Sequence, residues 1–462
     1  MRAGGLGTDF VSDLNHGSCD SRRPEPAVEV LRATRLNLIC GCIAALCFAT
    51  PSWSDSPVGQ DVPAPDVVKP PVPPPNLPEQ HWYTALPFLP VPEIAQDPDS
   101  GTTVGILPVW LITDDQQRIR RIIAPDVLYN PNFGYGAHGR IYDYPSEDKQ
   151  WSVEAGVKQR VEREFDGEYQ LGRLREHNWS FTGSVIYDRG GAARFFGIGN
   201  STPKRNETNY TNQQGLLQAQ IGYNFTRAWQ LLYTARLRVV DILPGTLNKI
   251  TSIEDRFPHV RGLGTSYEQL NRLSIIYDTR DSFTAPRQGV TWVAYGGVAS
   301  RSGFLNNSLY SEAGIDGRVF WPINPRTLLA THVSLRYLPS TQHVPFWALS
   351  SLGGGQSVVG GEQPLRGFGE GRFYDRNSFS ATVELRHTAF EFDAISHVEI
   401  EVAPFVDVGD VFHNGPTFPI HGLHKVAGVG FRGIARPSVV GYVDVGYGSE
   451  GAAVFTGINY PF

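Results

Sequence analysis

The sequence has few cysteines, a single methionine and no long apolar run beyond its N-terminal part. All four cysteines lie in the first 54 residues: Cys19, Cys40, Cys42 and Cys47. If export removes that segment, the mature chain has no disulfide, thiolate metal site or cysteine nucleophile. Acidic residues number 46 and basic residues 40, so the formal net charge of −6 gives no indication of a nucleic-acid partner. Past the N-terminal segment, no window holds the roughly 18 apolar residues of a membrane helix.

Glycine, proline and aromatic residues are abundant instead. The 462 residues include 49 Gly and 34 Pro, together with 25 Phe, 19 Tyr and 9 Trp. So much Gly and Pro excludes an ordinary all-helical protein. The composition is typical of an outer-membrane β-barrel, in which only alternate residues are apolar.

Residues 1–54 have the features of a secretory signal peptide. Arg32 and Arg35 precede an apolar stretch from Leu36 to Ala49, which is too short to span a bilayer. A small-x-small site, Ser52-Trp53-Ser54, follows it. We predict cleavage after Ser54.

Two alternatives concern the same segment. The polar residues before Arg32 are unusual for a signal peptide, so we hypothesise a translation start near Val28. Ile39-Cys40-Gly41-Cys42 loosely resembles a lipid-attachment box, but most of the apolar core follows Cys42 instead of preceding it. The signal-peptide interpretation is therefore favoured.

Residues 55–100 form a predicted proline-rich periplasmic spacer. Thirteen prolines fall in the 42 residues from Pro57 to Pro98. Such a segment favours extended polyproline conformation and cannot pack a core. The outer-membrane β-barrel domain is predicted to occupy residues 101–462.

Apolar residues recur at every second position after Gly101. The pattern is clear in three stretches: residues 217–225, 229–239 and 379–386. It gives each strand one apolar and one polar face. Ionised side chains on the polar face exclude a sandwich core, and strands of about nine to twelve residues suit a tilted membrane crossing. The sequence therefore predicts an all-β membrane protein, a closed antiparallel transmembrane β-barrel with a wet lumen.

The number of strands follows from parity. We find 17 candidate strands, yet both termini of a barrel with short periplasmic turns should be periplasmic, which requires an even number. We predict 16 and place the error between Thr102 and Leu174. The nine candidates nearest the C-terminus are Leu270–Asp278, Gly289–Ala299, Ser308–Phe320, Leu328–Tyr337, Asn377–His387, His397–Val408, Lys425–Ile434, Val439–Tyr447 and Ala453–Phe462.

Three sequence segments point to a known family. The longest loop, Pro339 to Arg376, contains Gly353-Gly354-Gly355 and then Pro364-Leu365-Arg366-Gly367-Phe368. Two other segments occur in the matching order: Asp278-Thr279-Arg280-Asp281 with Pro286-Arg287-Gln288-Gly289 before it, and Pro404-Phe405-Val406-Asp407-Val408-Gly409 two strands after it. Together they resemble a periplasmic turn, the sixth-loop V/I-R-G-F/Y sequence and the F-x-D-x-G strand of the BamA/TamA-like outer-membrane superfamily (bacterial surface antigen domain). Leu365 departs from the β-branched residue of that pattern.

The resemblance implies that the sixth extracellular loop folds inward, so that Arg366 meets Asp407 with Glu384 nearby. Counting along the strands puts both carboxylates on the polar face, and an Arg fork can bind a carboxylate through two hydrogen bonds. Gly367 would let the loop approach the wall without a Cβ. Arg366, Gly367, Phe368, Asp407 and Glu384 are therefore the predicted structural lock between loop and lumen.

The end of the chain resembles the C-terminal signal recognised by the barrel-assembly machinery. Ile458, Tyr460 and the final Phe462 share one face, and Pro461 is a departure. The implied partners are outer-membrane lipids, the assembly machinery and a possible periplasmic partner or client polypeptide. The family's POTRA repeats are absent, so an insertase role would need the spacer or a partner as its docking platform.

Enzyme and metal signals are weak. His332-Val333-Ser334 has the His-x-Ser spacing of barrel lipid hydrolases, but the alternation turns both polar side chains toward the lumen. The loop histidines His413, His421 and His424 lack a spaced set of further ligands. We predict no catalytic residue, metal or cofactor. The implied function is outer-membrane biogenesis, meaning assembly or translocation of protein or lipid. The alternatives are a passive or gated channel or a structural barrel and, with less support, an outer-membrane lipid hydrolase.

Overall fold

A computed structural model of the protein describes residues 89–97, 99–113, 119–146, 148–283, 285–300, 308–356, 362–363, 365–393, 397–414, 422–435 and 439–458. The predicted signal peptide and the spacer up to residue 88 lie outside these ranges and stay predictions. None of the described helices is long and apolar enough to cross a membrane.

The described residues are mostly β-strand with almost no helix, as predicted. The N-terminal half contains β1 Leu89–Asp97, β2 Gly101–Thr113, β3 Ile119–Ile123, β4 Asp126–Asn130, β5 Gly134–Ser146, β6 Lys149–Lys158, β7 Arg163–Leu171, β8 Trp179–Gly190, β9 Arg194–Phe195, β10 Thr208–Asn224 and β11 Trp229–Pro244. Next come β12 Gly264–Asp278, β13 Gly289–Ala299, β14 Leu309–Asn324 and β15 Thr327–His343. A long loop, residues 344–376, holds β16 Ser350–Leu352, β17 Gly355–Gln356, β18 Glu362–Gln363 and β19 Phe373–Asp375. The last strands are β20 Asn377–Asp393, β21 His397–Phe412, β22 His424–Ala435, β23 Val439–Gly448 and β24 Gly451–Ile458.

Helical structure in the described ranges is limited to single turns. They are the α-helix α1 Ile253–Arg256 and the 3₁₀ turns Lys204–Asn206 and Phe346–Ala348. All three lie in connections between strands.

One sheet of 20 strands contains all long strands, and neighbouring strands pair antiparallel. β3 and β4 share one position, because both pair with β2 and with β5. The two-residue β9 pairs only with the start of β10. Eighteen positions therefore follow one another along the described sheet. Besides β1, eight of these positions lie before residue 245 and nine lie after residue 263. Those 17 positions equal the number of candidate strands found in the sequence, and β1 is the eighteenth.

The missing strand is β1, inside the predicted spacer, and the predicted count of 16 is not confirmed. Pro90 and Pro92 argued against a strand there. In the structure Pro90 lies opposite Pro108, so that pair exchanges no N–H···O bond and the ladder to β2 uses the residues between the prolines. An edge strand tolerates this arrangement. Counted from β1, the long loop is the seventh connection at its end of the sheet, not the sixth.

The two ends of the sheet differ in their connections. One end, here the loop end, carries the connections of residues 191–207, 245–263 and 344–376. The other, the turn end, has connections of ten residues or fewer among strands 3 to 24. An even number of positions places the start of β1 and the end of β24 together at the turn end, as the parity argument requires.

The two faces of the sheet have the reverse polarity of a soluble protein. Leu217, Ile221 and Phe225 are 54%, 47% and 61% exposed on the outer face. On the inner face, which carries the long loop, Gln214 and Glu268 are 3% and 1% exposed. Such an arrangement suits hydrocarbon outside and polar groups within. Exposed aromatic residues gather at the turn end of the outer face: Trp179, Phe225, Trp229, Trp321, Phe390 and Phe392.

An apolar cluster lies at the loop end. Its buried members are Phe195, Tyr210, Val240, Ile242, Ile253, Phe346, Leu349 and Tyr374. They come from β10 and β11 of the wall, from the short strand β9, from α1 and from both arms of the long loop. The Phe195 and Phe346 ring centroids lie 4.8 Å apart. The loops at this end are therefore packed together and to the wall.

Candidate functional site

The long loop turns back inside the sheet at Leu365. This residue is fully buried and has a φ of 81°, in the left-handed region that few non-glycine residues adopt. It packs with Leu352, Phe368 and Phe405 in an apolar cluster against the inner face. The turn delivers Arg366 to the wall formed by β20, β21 and β23.

Arg366 contacts three carboxylates. Its Nε and Nη2 donate to the two oxygens of Asp407 at 3.1 and 2.9 Å, and its backbone N–H donates to Asp407 Oδ2 at 3.0 Å. Its Nη1 donates to Glu384 at 2.8 Å and to Asp444 at 2.7 Å. Sequence reasoning placed Arg366 near Asp407 and Glu384, and the structure brings all three together. Asp444 was missed.

A second layer of arginines balances these acids. Glu384 accepts from Arg386 at 2.7 Å and from Arg432 at 3.0 Å. Arg432 also lies 3.1 Å from Asp444. Three arginines therefore face three carboxylates in a site from which water is excluded. Burial lowers the pKa of the Arg366 guanidinium, but Asp407, Glu384 and Asp444 outweigh burial and hold that pKa well above its usual value.

Aromatic and glycine residues fit the loop to the wall. The guanidinium carbon of Arg366 lies 3.4 Å from the centre of the Phe405 ring, a cation–π contact. A Cβ on Gly367 would lie 2.8 Å from the backbone nitrogen of Gly448, and one on Gly446 would overlap the carbonyl oxygen of Arg366. Glycine is needed at both positions because backbone meets backbone there.

The loop is also held near the last hairpin. Arg372 binds Glu450, in the turn between β23 and β24, with Nη2 at 2.6 Å from Oε1, and it donates to the Thr202 carbonyl at 2.7 Å. Phe368 packs edge-on against Phe373, and Phe373 stacks on His424 at 3.8 Å. These contacts connect the loop to the strands nearest the C-terminus.

The remaining candidate residues occupy other places. His332 is buried, and its Nε2 lies 2.7 Å from Asp316, among inner-face residues, far from the exposed apolar face that a lipid hydrolase would use. His413 pairs with Asp375 at 3.1 Å, and His424 Nε2 donates to the Asn200 carbonyl at 2.9 Å. Within the described ranges no group of three or more His, Cys, Asp or Glu residues is arranged to hold a metal.

Some predicted residues lie outside the described ranges. His421, Tyr460 and Phe462 are among them, and only the backbone of Ile458 is described, as the last residue of β24. The C-terminal assembly signal therefore stays a prediction.

Comparison with known proteins identifies the family. The Omp85 superfamily domain matches residues 148–432, more than half of the chain. The chain belongs to the Omp85 superfamily. This membership confirms the resemblance predicted from the loop and strand motifs, and it makes the protein an outer-membrane β-barrel of that superfamily.

Solved structures of similar shape have low sequence identity to this Omp85 protein. BamA from Haemophilus ducreyi lacking POTRA domains 1–3 has 15% identity and a TM-score of 0.47, covering 80% of this chain and 74% of that one. CdiB from Escherichia coli has 12% identity and a TM-score of 0.43, covering 81% and 62%. Wzi, a carbohydrate-binding β-barrel involved in group 1 capsule assembly in Escherichia coli, has 11% identity and a TM-score of 0.36, covering 80% and 81%. No curated protein matches the chain.

Proposed function

We propose that this Omp85 protein acts in outer-membrane biogenesis and passes a polypeptide or lipid client through the seam between its first and last strands. The observation that carries the proposal is the state of that seam. β1 and β24 lie side by side, but no ladder joins them among the described residues. Unpaired strand edges are templates for an added strand.

The prolines of β1 weaken the seam further. Because Pro90 and Pro92 do not bond to β2, their backbone positions face the β24 side, where a proline offers no N–H donor. A ladder across the seam would lose two donors within three residues. A seam of this kind opens more easily than the fully paired neighbouring positions.

The contacts between Arg366 and the wall support the same proposal from the β24 side of the seam. Arg366 joins the loop to β20, β21 and β23, and β23 pairs with β24 along the whole length of that strand. The wall on the β24 side of the seam is therefore bonded both to the loop and to its neighbouring strand. For the proposed function, opening would take place at the junction of β24 with β1.

A disulfide across the seam tests the proposal. The chain after residue 54 has no cysteine, so a cysteine at Ile94 of β1 can be combined with single cysteines at positions 453–457 of β24. We expect the oxidised pair that forms a bond to block client assembly or secretion in cells, and reduction to restore it. A matched pair across the β13 and β14 ladder, Ala294→Cys with Ile315→Cys at exposed positions, is expected to leave function unchanged. Full function with a locked seam would refute the proposal.

A passive channel is the second candidate, favoured by the charged inner face. Arg272 and Arg336 share Glu312 at 2.6 and 2.9 Å, and such groups line water-filled barrels. For the biogenesis function we expect the intact protein in planar bilayers to be nearly non-conducting, and deletion of residues 344–376 to produce large steady openings. Large openings of the intact protein, with no change on deletion, would favour a passive channel instead.

A further inference from the structure

The turn between β12 and β13, residues 279–288, crosses the turn end of the barrel. Ala285 is buried against Ile434, at the far end of β22. Arg287 lies 3.5 Å from Glu399 on β21. In the other direction Phe283 reaches the turn between β7 and β8. The segment therefore joins distant parts of the wall.

Three arginines converge on this crossing segment. The guanidinium carbons of Arg173, Arg175 and Arg280 lie 5.7, 6.0 and 5.5 Å from the centre of the Phe283 ring. The first two come from the β7–β8 turn and the third from the β12–β13 turn. Three cations from two segments that are about a hundred residues apart in sequence therefore lie around one aromatic ring.

The acids nearby do not balance these cations. Asp278 is engaged by Arg280, whose Nη2 and Nε lie 2.8 and 3.0 Å from its oxygens. Arg175 is 3.8 Å from the same carboxylate, beyond hydrogen-bond distance. Arg173 donates to the neutral side chain of Gln150, and the charge of the nearby Asp148 favours its ionised form. Two acids therefore face three cations, and Arg173 and Arg175 have no hydrogen-bonded carboxylate within the described part of the chain.

The burial and the backbone conformation of Arg175 are energetically unfavourable. Its side chain is only 10% exposed, and its Nη1 is buried with no hydrogen-bond partner. Its φ of 56° lies in the left-handed region, which is unfavourable for a residue with a long side chain. Burial lowers the pKa of Arg175, and Arg280 adds to this effect while Asp278 opposes it. A buried donor without a partner is stabilised when an acceptor binds.

We propose that Arg173, Arg175 and Arg280 form a binding site for a phosphate group at the turn end of the barrel. A phosphate presents several acceptor oxygens in different directions and up to two negative charges, which suits three guanidinium groups that approach from two segments. A planar carboxylate is satisfied by one such fork. Trp179 and Tyr277 flank the two turns, and aromatic residues of this kind lie at the height of lipid headgroups. The phosphate can come from a phospholipid headgroup or from free phosphate.

The test uses the full mature protein in a maltoside detergent without phosphate. Binding of inorganic phosphate and of short-chain phosphatidylglycerol is followed by ³¹P NMR and calorimetry. We expect binding to the wild type, and a loss of roughly tenfold or more in affinity for Arg173→Gln/Arg175→Gly. Arg175→Gly removes the cation and relieves the left-handed φ, so it should not unfold the protein. Arg227→Gln, an exposed arginine of the β10–β11 turn, is the matched control and should bind as the wild type does.

Each outcome is informative. Binding of both probes indicates a site for free phosphate as well, whereas binding of the lipid alone assigns the site to a headgroup. Equal affinity of the wild type and the double variant, or binding of neither probe, overturns the proposal. If the double variant is poorly folded, Arg173→Gln alone gives the same reading, because Arg173 is partly exposed and adopts no left-handed φ.

Discussion

Replacing Arg366 with Ala is expected to destabilise the barrel by about 3–5 kcal/mol, because it leaves Asp407, Glu384 and Asp444 together without their shared cation. All three carboxylates are fully buried, so water cannot replace the guanidinium. Arg386 and Arg432 can neutralise only part of the remaining charge. The measurement is urea unfolding of the purified protein, followed by the gel shift between folded and heated forms.

Two control variants are needed. One separates the effect of the guanidinium fork from the effect of its positive charge, and the other measures the effect of removing an exposed arginine. Arg366→Lys keeps one positive charge but cannot bind three carboxylates at once, so we expect an intermediate loss. Arg205→Ala, at an exposed position in the loops, should change stability by less than about 0.5 kcal/mol. Arg366→Ala with unchanged unfolding and unchanged gel shift would show that the contact carries no stability.

Gly446→Ala is expected to displace the long loop, at a cost of about 3 kcal/mol, the upper end of the usual range for overpacking. A Cβ there would lie 2.6 Å from the carbonyl carbon of Arg366 and overlap its oxygen. The obstacle is backbone, and a rotamer change cannot relieve it. We expect unfolding at a lower urea concentration, together with faster proteolysis of residues 344–376.

The same strand offers a matched control. Gly441 also lies in β23, but a Cβ there meets no atom within 4 Å, so Gly441→Ala should be nearly neutral. Since Arg366→Ala and Gly446→Ala both undock the loop, their combination should cost little more than the worse single change. Full additivity of the two would mean that they act on different features.

Much of the site follows from the sequence, because alternation along a strand fixes which face a side chain takes. The positions of Asp407 and Glu384 on the polar face need only that rule, and the loop motif supplied Arg366. Asp444 and Arg432 obey the same rule on β23 and β22. They were missed because their height beside Arg366 depends on the register between strands, which a pattern of period two leaves open.

The bounds of the strands were also predicted only in part. Gly289–Ala299 was predicted with its observed limits, whereas Asn377–His387 extends to Asp393 and Leu328–Tyr337 to His343. In both cases the strand continues past an irregularity in its pairing, which shifts the phase of the alternation: one lies between Thr388 and Phe390, and the other lies where residues 337–343 pair with β14. β1 was missed for another reason. Its prolines were interpreted as part of a spacer, and only the pairing with β2 indicates that their backbone nitrogens face away from β2.

The aromatic cluster at the loop end bears on the direction in which a client would leave under the proposed function. An axial exit would have to separate Phe195, Phe346 and Tyr374 along with the other buried members of the cluster. Each large apolar side chain exposed costs about 1.5–3 kcal/mol, so uncovering several would approach the stability of a whole domain. Departure through the seam, as proposed, would leave that cluster intact. Under the proposed function a client would therefore arrive first in the plane of the bilayer, and only afterwards at the cell surface.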